Sequence, residues 1–181
     1  ISDKKKEGET IKYDQNKFDE FFEKIINDDL IQSLFEDADK YDIRHPINKK
    51  LYMLDMGTGS GCIILSILTE LKKAKGIGVD ISKKAIEVAK KNSVKLNVNE
   101  KVKFFNKSLE NIHGYKFDLI VSNPPYIRTS DIKNLSEDVK RFEPKIALDG
   151  GKDGLDVIKK VIYKSKTILK KLGWLALEIG Y

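Results

Sequence analysis

An α/β fold with a doubly wound, mostly parallel sheet is predicted by three features of this 181-residue sequence. From Leu51 onward, short apolar runs alternate with longer helical patterns, as in parallel strands joined by helical crossovers. The first run ends in Asp55-Met56-Gly57-Thr58-Gly59-Ser60-Gly61, a glycine-rich turn between a strand and a helix. The second run ends in a carboxylate, Asp80.

Each element follows from local pattern. Residues 1–16 are a polar, lysine-rich lead-in. Phe18, Phe21, Phe22, Ile25, Ile26, Leu30, Leu34 and Phe35 recur at helical spacing and predict one or two amphipathic helices. Residues 36–50 are charged, contain Pro46 and read as a loop. Residues 1–50 are therefore a lead-in with a helical segment, and residues 51–181 form the main domain. Within it Leu51–Met56 reads as a strand and Cys62–Leu71 as a helix opening on the glycine turn. Gly76–Val79 is a short strand, and Ser82 is the N-cap of a helix running to about Leu96. Val102–Phe105 and Phe117–Ser122 are two further strands. Asp153–Leu172 reads as a helix stopped by Gly173, with Trp174–Ile179 as the fifth strand.

Composition excludes several classes. Hydrophobic residues make up 40% and charged residues 34%, ordinary values for a globular protein. No apolar stretch approaches the roughly 20 residues of a membrane span, so no membrane association is expected. The single cysteine, Cys62, cannot form an internal disulfide and fits a reducing compartment. Metal-ligand spacing is absent, His45 and His113 being far apart. The excess of 34 Lys+Arg over 28 Asp+Glu, +6, is compatible with a polyanionic partner or with lysines on solvated helix faces. The chain begins at Ile1 and stops at Gly180-Tyr181 directly after an apolar run, so both ends read as cuts.

Gly57, Gly59 and Gly61 allow unusual backbone angles and close approach of a ligand to the main chain. Asp80 lies about 20 residues on, where a carboxylate can accept hydrogen bonds from ribose hydroxyls. A bare G-x-G-x-G also serves a dinucleotide, or only a tight connection. Two details favour a sulfonium nucleoside. The spacing Gly57-Thr58-Gly59-Ser60-Gly61 departs from the pyrophosphate fingerprint. Asp55 puts negative charge beside the turn, which repels a pyrophosphate and attracts a cation. The segment resembles the first motif of class I, Rossmann-like S-adenosylmethionine-dependent methyltransferases. The resemblance implies that Asp55 orients the methionine end, that Asp80 and the adjoining Ile81 serve the nucleoside, and that Ser108 and Leu109 lie where the adenine is held. Ser108 stands where relatives often carry an acidic residue.

After the apolar run Phe117–Ser122 come Asn123-Pro124-Pro125-Tyr126. An amide nitrogen is a poor nucleophile because its lone pair is delocalised. The Asn123 side-chain oxygen can accept one N–H of a planar NH2 group and the Pro124 carbonyl the other. Both acceptors stabilise positive charge developing on the nitrogen. Pro124 and Pro125 stiffen the turn, and the Tyr126 ring can cover the planar group. Taken with the glycine turn, this points to methyl transfer onto a planar nitrogen.

The signature is shared by enzymes acting on adenine N6, guanine N2 and glutamine side chains. Arg141-Phe142-Glu143-Pro144, Ala147-Leu148-Asp149-Gly150-Gly151-Lys152-Asp153-Gly154-Leu155, Val121–Ile127 and Leu177-Glu178-Ile179-Gly180-Tyr181 together resemble the HemK/PrmC family of protein-(glutamine-N5) methyltransferases. The resemblance covers roughly residues 51–181. It implies a catalytic domain over 51–181, truncated at its C-terminus and lacking a last strand pair. It implies transfer from S-adenosylmethionine to the Gly-Gly-Gln glutamine of peptide-chain release factors, with a release factor as partner. Glu143-Pro144 and the glycine-rich run then wall the substrate channel. Such an enzyme works in the cytoplasm, or in a mitochondrial or plastid matrix if a targeting segment lies outside this chain. Two alternatives stay open: methylation of an exocyclic amine in RNA or DNA, and a non-catalytic cofactor-binding scaffold. Lys101, Lys103 and Lys107 form only a loose basic stretch, so nucleic acid is not favoured.

Overall fold

The computed structural model describes residues 50–179. The lead-in, the amphipathic helices expected over 18–35 and the loop expected before Lys50 lie outside the described residues. The elements run β1 (Tyr52–Met56), α1 (Cys62–Glu70), β2 (Lys75–Asp80), α2 (Lys83–Lys95), β3 (Val102–Asn106), β4 (Phe117–Ser122), the short helices α3 (Glu137–Phe142) and α4 (Lys145–Leu148), α5 (Asp156–Ile168) and β5 (Leu169–Leu177). Single 3-10 turns cover Leu109–Asn111 and Ile132–Asn134.

The five strands pair in the order β3-β2-β1-β4-β5, and every pairing is parallel. Period-two alternation splits the sheet's side chains between two cores. Met53, Val102, Phe104 and Val121 face Ile64, Leu65 and Leu68 of α1 and Ile86 and Ala89 of α2. Leu54, Met56, Ile77, Val79, Phe117 and Ile120 face Val161 and Ile168 of α5. Helices therefore cover both faces, and the doubly wound expectation holds. None of the helices among the described residues is long and apolar enough to cross a membrane.

Two glycines in β2 let the first layer close. A Cβ on Gly78 would sit 2.6 Å from the Phe104 ring and 2.9 Å from Thr58 Oγ1. On Gly76 it would sit 2.7 Å from Ile64 Cδ1. The Ser82 cap forms as expected, its hydroxyl accepting the Ala85 N–H at 3.2 Å.

The last helix is shorter than its pattern. The expected helix over 153–172 spans only Asp156–Ile168, and Leu169 already pairs with Phe117. Leu169 and Leu172 continue the apolar spacing of Val161 and Ile168, which is why the pattern overruns. Leu172 is instead 88% exposed, with φ of 64°. The register shifts between Phe117 and Leu119, where Lys170–Gly173 is looped out before Trp174 rejoins opposite Leu119. Gly173 thus marks a bulge inside β5, a role that Gly takes as readily as a helix stop.

Candidate active site

Strand order places the site. The chain runs outward from β1 through β2 to β3, then returns to the other side of β1 as β4. The crevice at the carboxyl ends of β1 and β4 is the switch point where such sheets take ligands. The two sequence signatures meet there. The Ser122 hydroxyl donates to the Met56 carbonyl at 2.6 Å, tying the end of β4 to the start of the glycine turn.

The turn is held to β2 from below. Gly57 and Thr58 N–H both donate to the Val79 carbonyl at 2.9 Å. Gly57 and Gly59 have φ of 72° and 54°, and a Cβ built on either meets nothing within 4 Å. Their backbone is therefore open to a ligand. Gly61 differs: its Cβ would lie 2.9 Å from Leu65 Cδ1 and 3.2 Å from Ala89 Cβ. Its lack of a side chain serves the packing of α1 against α2.

Asp55 lies beneath the turn and is 1% exposed. The buried Thr58 hydroxyl donates to Asp55 Oδ2 at 2.7 Å, so Thr58 acts on Asp55 through its side chain. Oδ1 has no hydrogen-bond partner among the described residues. Burial pushes this carboxyl up to about 7, with nearby Asp80 adding to the rise against the pull of Thr58 and the Ile64 amide. The buried Cys62 thiol is pushed up to about 12, chiefly by burial and then by the Asp55 charge, which leaves it unreactive.

Asp80 Oδ2 accepts the Gly59 N–H at 2.9 Å and Oδ1 accepts the Ser82 N–H at 2.7 Å. One carboxylate thus bridges the glycine turn and the start of α2, and each oxygen retains a lone pair. Ile81, beside it, is 55% exposed. Past β3, the Ser108 hydroxyl accepts from Asn111 Nδ2 at 3.1 Å. Glu110 is held below the usual carboxylate range by its own backbone amide and then by the Ser108 hydroxyl. The acidic group of this loop is therefore Glu110, two residues beyond Ser108. Leu109 is partly buried against the second core.

At the end of β4, Pro124 is buried, Pro125 and Tyr126 are half-buried and Asn123 is exposed. Asn123 Nδ2 donates to Glu178 Oε2 at 2.7 Å. The Tyr126 phenol is raised by burial and then by the charge and hydrogen bond of the same Glu178. Glu178 did not figure among the expected site residues. The β4–β5 register supplies it: Ser122 pairs with Leu177, so Asn123 and Glu178 are the next residues along two adjacent strands.

The glycine-rich run backs this turn directly. A Cβ on Gly150 would lie 2.6 Å from the Gly154 carbonyl and 2.8 Å from the Pro125 carbonyl. On Gly154 it would lie 2.5 Å from the Tyr126 carbonyl. The Gly150 N–H donates to Ile127 O at 2.8 Å, and the Thr129 hydroxyl to Asp149 Oδ1 at 2.6 Å. Glu143 and Pro144 are exposed between α3 and α4, and the Glu143 N–H closes α3 by donating to the Val139 carbonyl at 2.9 Å. Gly150→Ala must push one backbone segment away from another. It is expected to cost about 1–3 kcal/mol of stability and to displace Tyr126, read as a lower Tm with reduced turnover.

Residues 47–176 match the family model described as a methyltransferase domain. The chain belongs to the methyltransferase domain family. The match takes in the glycine turn, Asp80 and the Asn-Pro-Pro-Tyr turn, and stops short of Glu178. This methyltransferase domain is similar to a release factor glutamine methyltransferase of Clostridium acetobutylicum, 45% identical over 139 residues, 74% of this chain and 48% of the relative. It is likewise similar to the release factor glutamine methyltransferase of Caulobacter vibrioides, 41% identical over 137 residues, 75% of this chain and 47% of the relative. The chain spans about half the length of these curated relatives. In fold it is similar to a SAM-dependent methyltransferase from Geobacter sulfurreducens, crystallised with S-adenosyl-L-homocysteine. The TM-score is 0.50 at 18% identity, covering 71% of this chain and 41% of that one.

Proposed function

We propose that this domain transfers a methyl group from S-adenosylmethionine to the side-chain amide nitrogen of the Gly-Gly-Gln glutamine of a peptide-chain release factor. The observation that carries the reading is the meeting, at one switch point, of an open glycine turn and an oriented Asn123 amide, in a chain 41–45% identical to release factor glutamine methyltransferases. The residues fit the cofactor. Gly57 and Gly59 leave room above the turn, Asp80 keeps free lone pairs for ribose hydroxyls, and Asp55 Oδ1 is a buried acceptor with no hydrogen-bond partner among the described residues. When bound, S-adenosylmethionine supplies an electrophilic methyl group on a cationic sulfonium.

The chain's own residues do the rest. Asp55, Gly57, Thr58, Gly59, Asp80, Ile81, Ser108 and Leu109 would hold the nucleoside and its amino-acid end, with Gly61 setting the helix behind them. Asn123 and Pro124 accept the two N–H bonds of the substrate amide, and Tyr126 covers its plane. The acceptors favour the form of the amide in which positive charge grows on nitrogen, and the proton departs to solvent afterwards. Glu143 and Pro144 are assigned to the outer wall of the substrate channel. Such an enzyme acts where translation terminates: the cytoplasm, or an organelle matrix.

The test is transfer from labelled S-adenosylmethionine by the full-length protein to a release factor and to its Gly-Gly-Gln glutamine-to-alanine variant. Labelling of the first alone supports the reading. Labelling of neither overturns it and directs attention to exocyclic amines of nucleic acids.

A pH dependence follows from Asp55. Its folded value, about 7, stands above the ordinary 3.8. The folded state therefore keeps a proton that the unfolded state releases, and this group's contribution to stability falls as pH rises through that window. A cationic ligand favours the ionised form, so affinity for S-adenosylmethionine should rise between pH 6 and 8 by about tenfold at most. Asp55→Asn should flatten that rise in a calorimetric titration while weakening binding at pH 8.

A further inference from the structure

We infer that Glu178 is a positioning residue, holding the Asn123 side chain in the one orientation that offers Oδ1 to the substrate amide; this rests on the glutamine-amide reading above. A side-chain amide is nearly symmetric in shape, and a half-turn exchanges its acceptor for two donors. The substrate NH2 is itself a donor. Were Asn123 turned over, donors would face donors and the acceptor required for transfer would be lost.

A carboxylate removes the ambiguity, because when ionised it only accepts. It can hold Asn123 by Nδ2 alone, as the 2.7 Å contact to Glu178 Oε2 shows. Charge-assisted bonds of this length are among the stronger ones in proteins. The carboxylate is itself placed by the main chain. The Glu178 N–H donates to the Ser122 carbonyl at 3.1 Å, carrying the β4–β5 pairing one residue beyond Ser122↔Leu177. Asn123 and Glu178 therefore leave neighbouring parallel strands side by side, both exposed at the mouth of the crevice.

Glu178 also stands near Tyr126, whose phenol is raised by burial and then by the Glu178 charge. That charge, beside the Nδ2 protons, also polarises the Asn123 amide and raises the electron density on Oδ1. Glu178 touches neither the glycine turn nor Asp80 by any hydrogen bond, so its effect belongs to the amide and not to the cofactor.

The test uses the full-length protein with Glu178→Ala, Glu178→Gln, Asn123→Ala and the double variant Glu178→Ala/Asn123→Ala. Glu178→Ala is expected to lower kcat toward a release factor by about 10- to 100-fold, with S-adenosylmethionine affinity and Tm nearly unchanged. Glu178→Gln keeps an acceptor for Nδ2 but its NH2 can also donate to Oδ1, so it should restore only part of the loss. In the Asn123→Ala background, adding Glu178→Ala should cost nothing further. Additive losses, or a fall in cofactor affinity alone, would overturn the inference. A second readout needs no substrate. The Asn123 side-chain NH2 resonances should be shifted downfield in the wild type, less so in Glu178→Gln, and ordinary in Glu178→Ala. Identical resonances in all three would overturn the inference even if no release factor is methylated. Absence of methylation by the wild type itself would overturn the function reading alone.

Discussion

Asn123→Ala is expected to reduce methyl transfer by about 10²–10³-fold, the usual cost of deleting one polar group aimed at developing charge, while S-adenosylmethionine affinity stays within a few fold. The separation follows from where the side chain stands. Asn123 is exposed, and its amide engages Glu178, with no hydrogen bond to Asp55, Asp80 or the glycine turn. The site wall next to it is held by Ser122 and Met56, which the substitution leaves in place. Single-turnover kinetics on the full-length protein, with cofactor binding followed by calorimetry, would check it. A parallel loss of cofactor binding would show that Asn123 belongs to the nucleoside site and that the amide assignment is wrong.

Asp80→Ala should have the opposite signature. Its carboxylate accepts from the Gly59 and Ser82 amides and is the group proposed to meet the ribose. Hydrogen bonds to a charged group contribute about 1.5–3 kcal/mol each, so losing the ribose acceptors should weaken S-adenosylmethionine by about 10- to 100-fold or more. The Gly59 and Ser82 donors would be stranded as well, lowering Tm in the absence of any ligand. Once cofactor is saturating, turnover should recover, because the Asn123–Glu178–Tyr126 group is untouched. Unchanged affinity would remove Asp80 from the ribose site and leave it a tether for the glycine turn.

Elements with a local cause are legible in the sequence, and those fixed by distant pairing are not. β1, β2 and β4 were legible because each is a short apolar run closed by a carboxylate, glycine or proline signal. Ser82 was legible as a cap because its hydroxyl acts three residues away. Where patterns overlap, spacing and structure differ: Leu169 and Leu172 extend a helical spacing, yet both lie in β5, the outer strand of the sheet among the described residues, since pairing with β4 decides the matter. The short helices α3 and α4, between Ile127 and Asp149, carry too few turns to produce a period.

By itself, the sequence determined the fold class and the family-bearing motifs, and it put those motifs at strand ends, since strand-end positions in a parallel sheet follow from alternation and order. Only the tertiary structure decided what surrounds each of their residues. The three glycines of one motif divide into two that open the backbone and one that packs two helices, because Gly61 alone lies against Leu65 and Ala89. Asp55 is a carboxyl near neutrality rather than a fixed charge, because burial removes the water that would hold its proton off. Glu178 reaches Asn123 across 55 residues of chain, a contact created by the β4–β5 register. Burial and cross-strand proximity depend on the packed whole, and no window of sequence contains them.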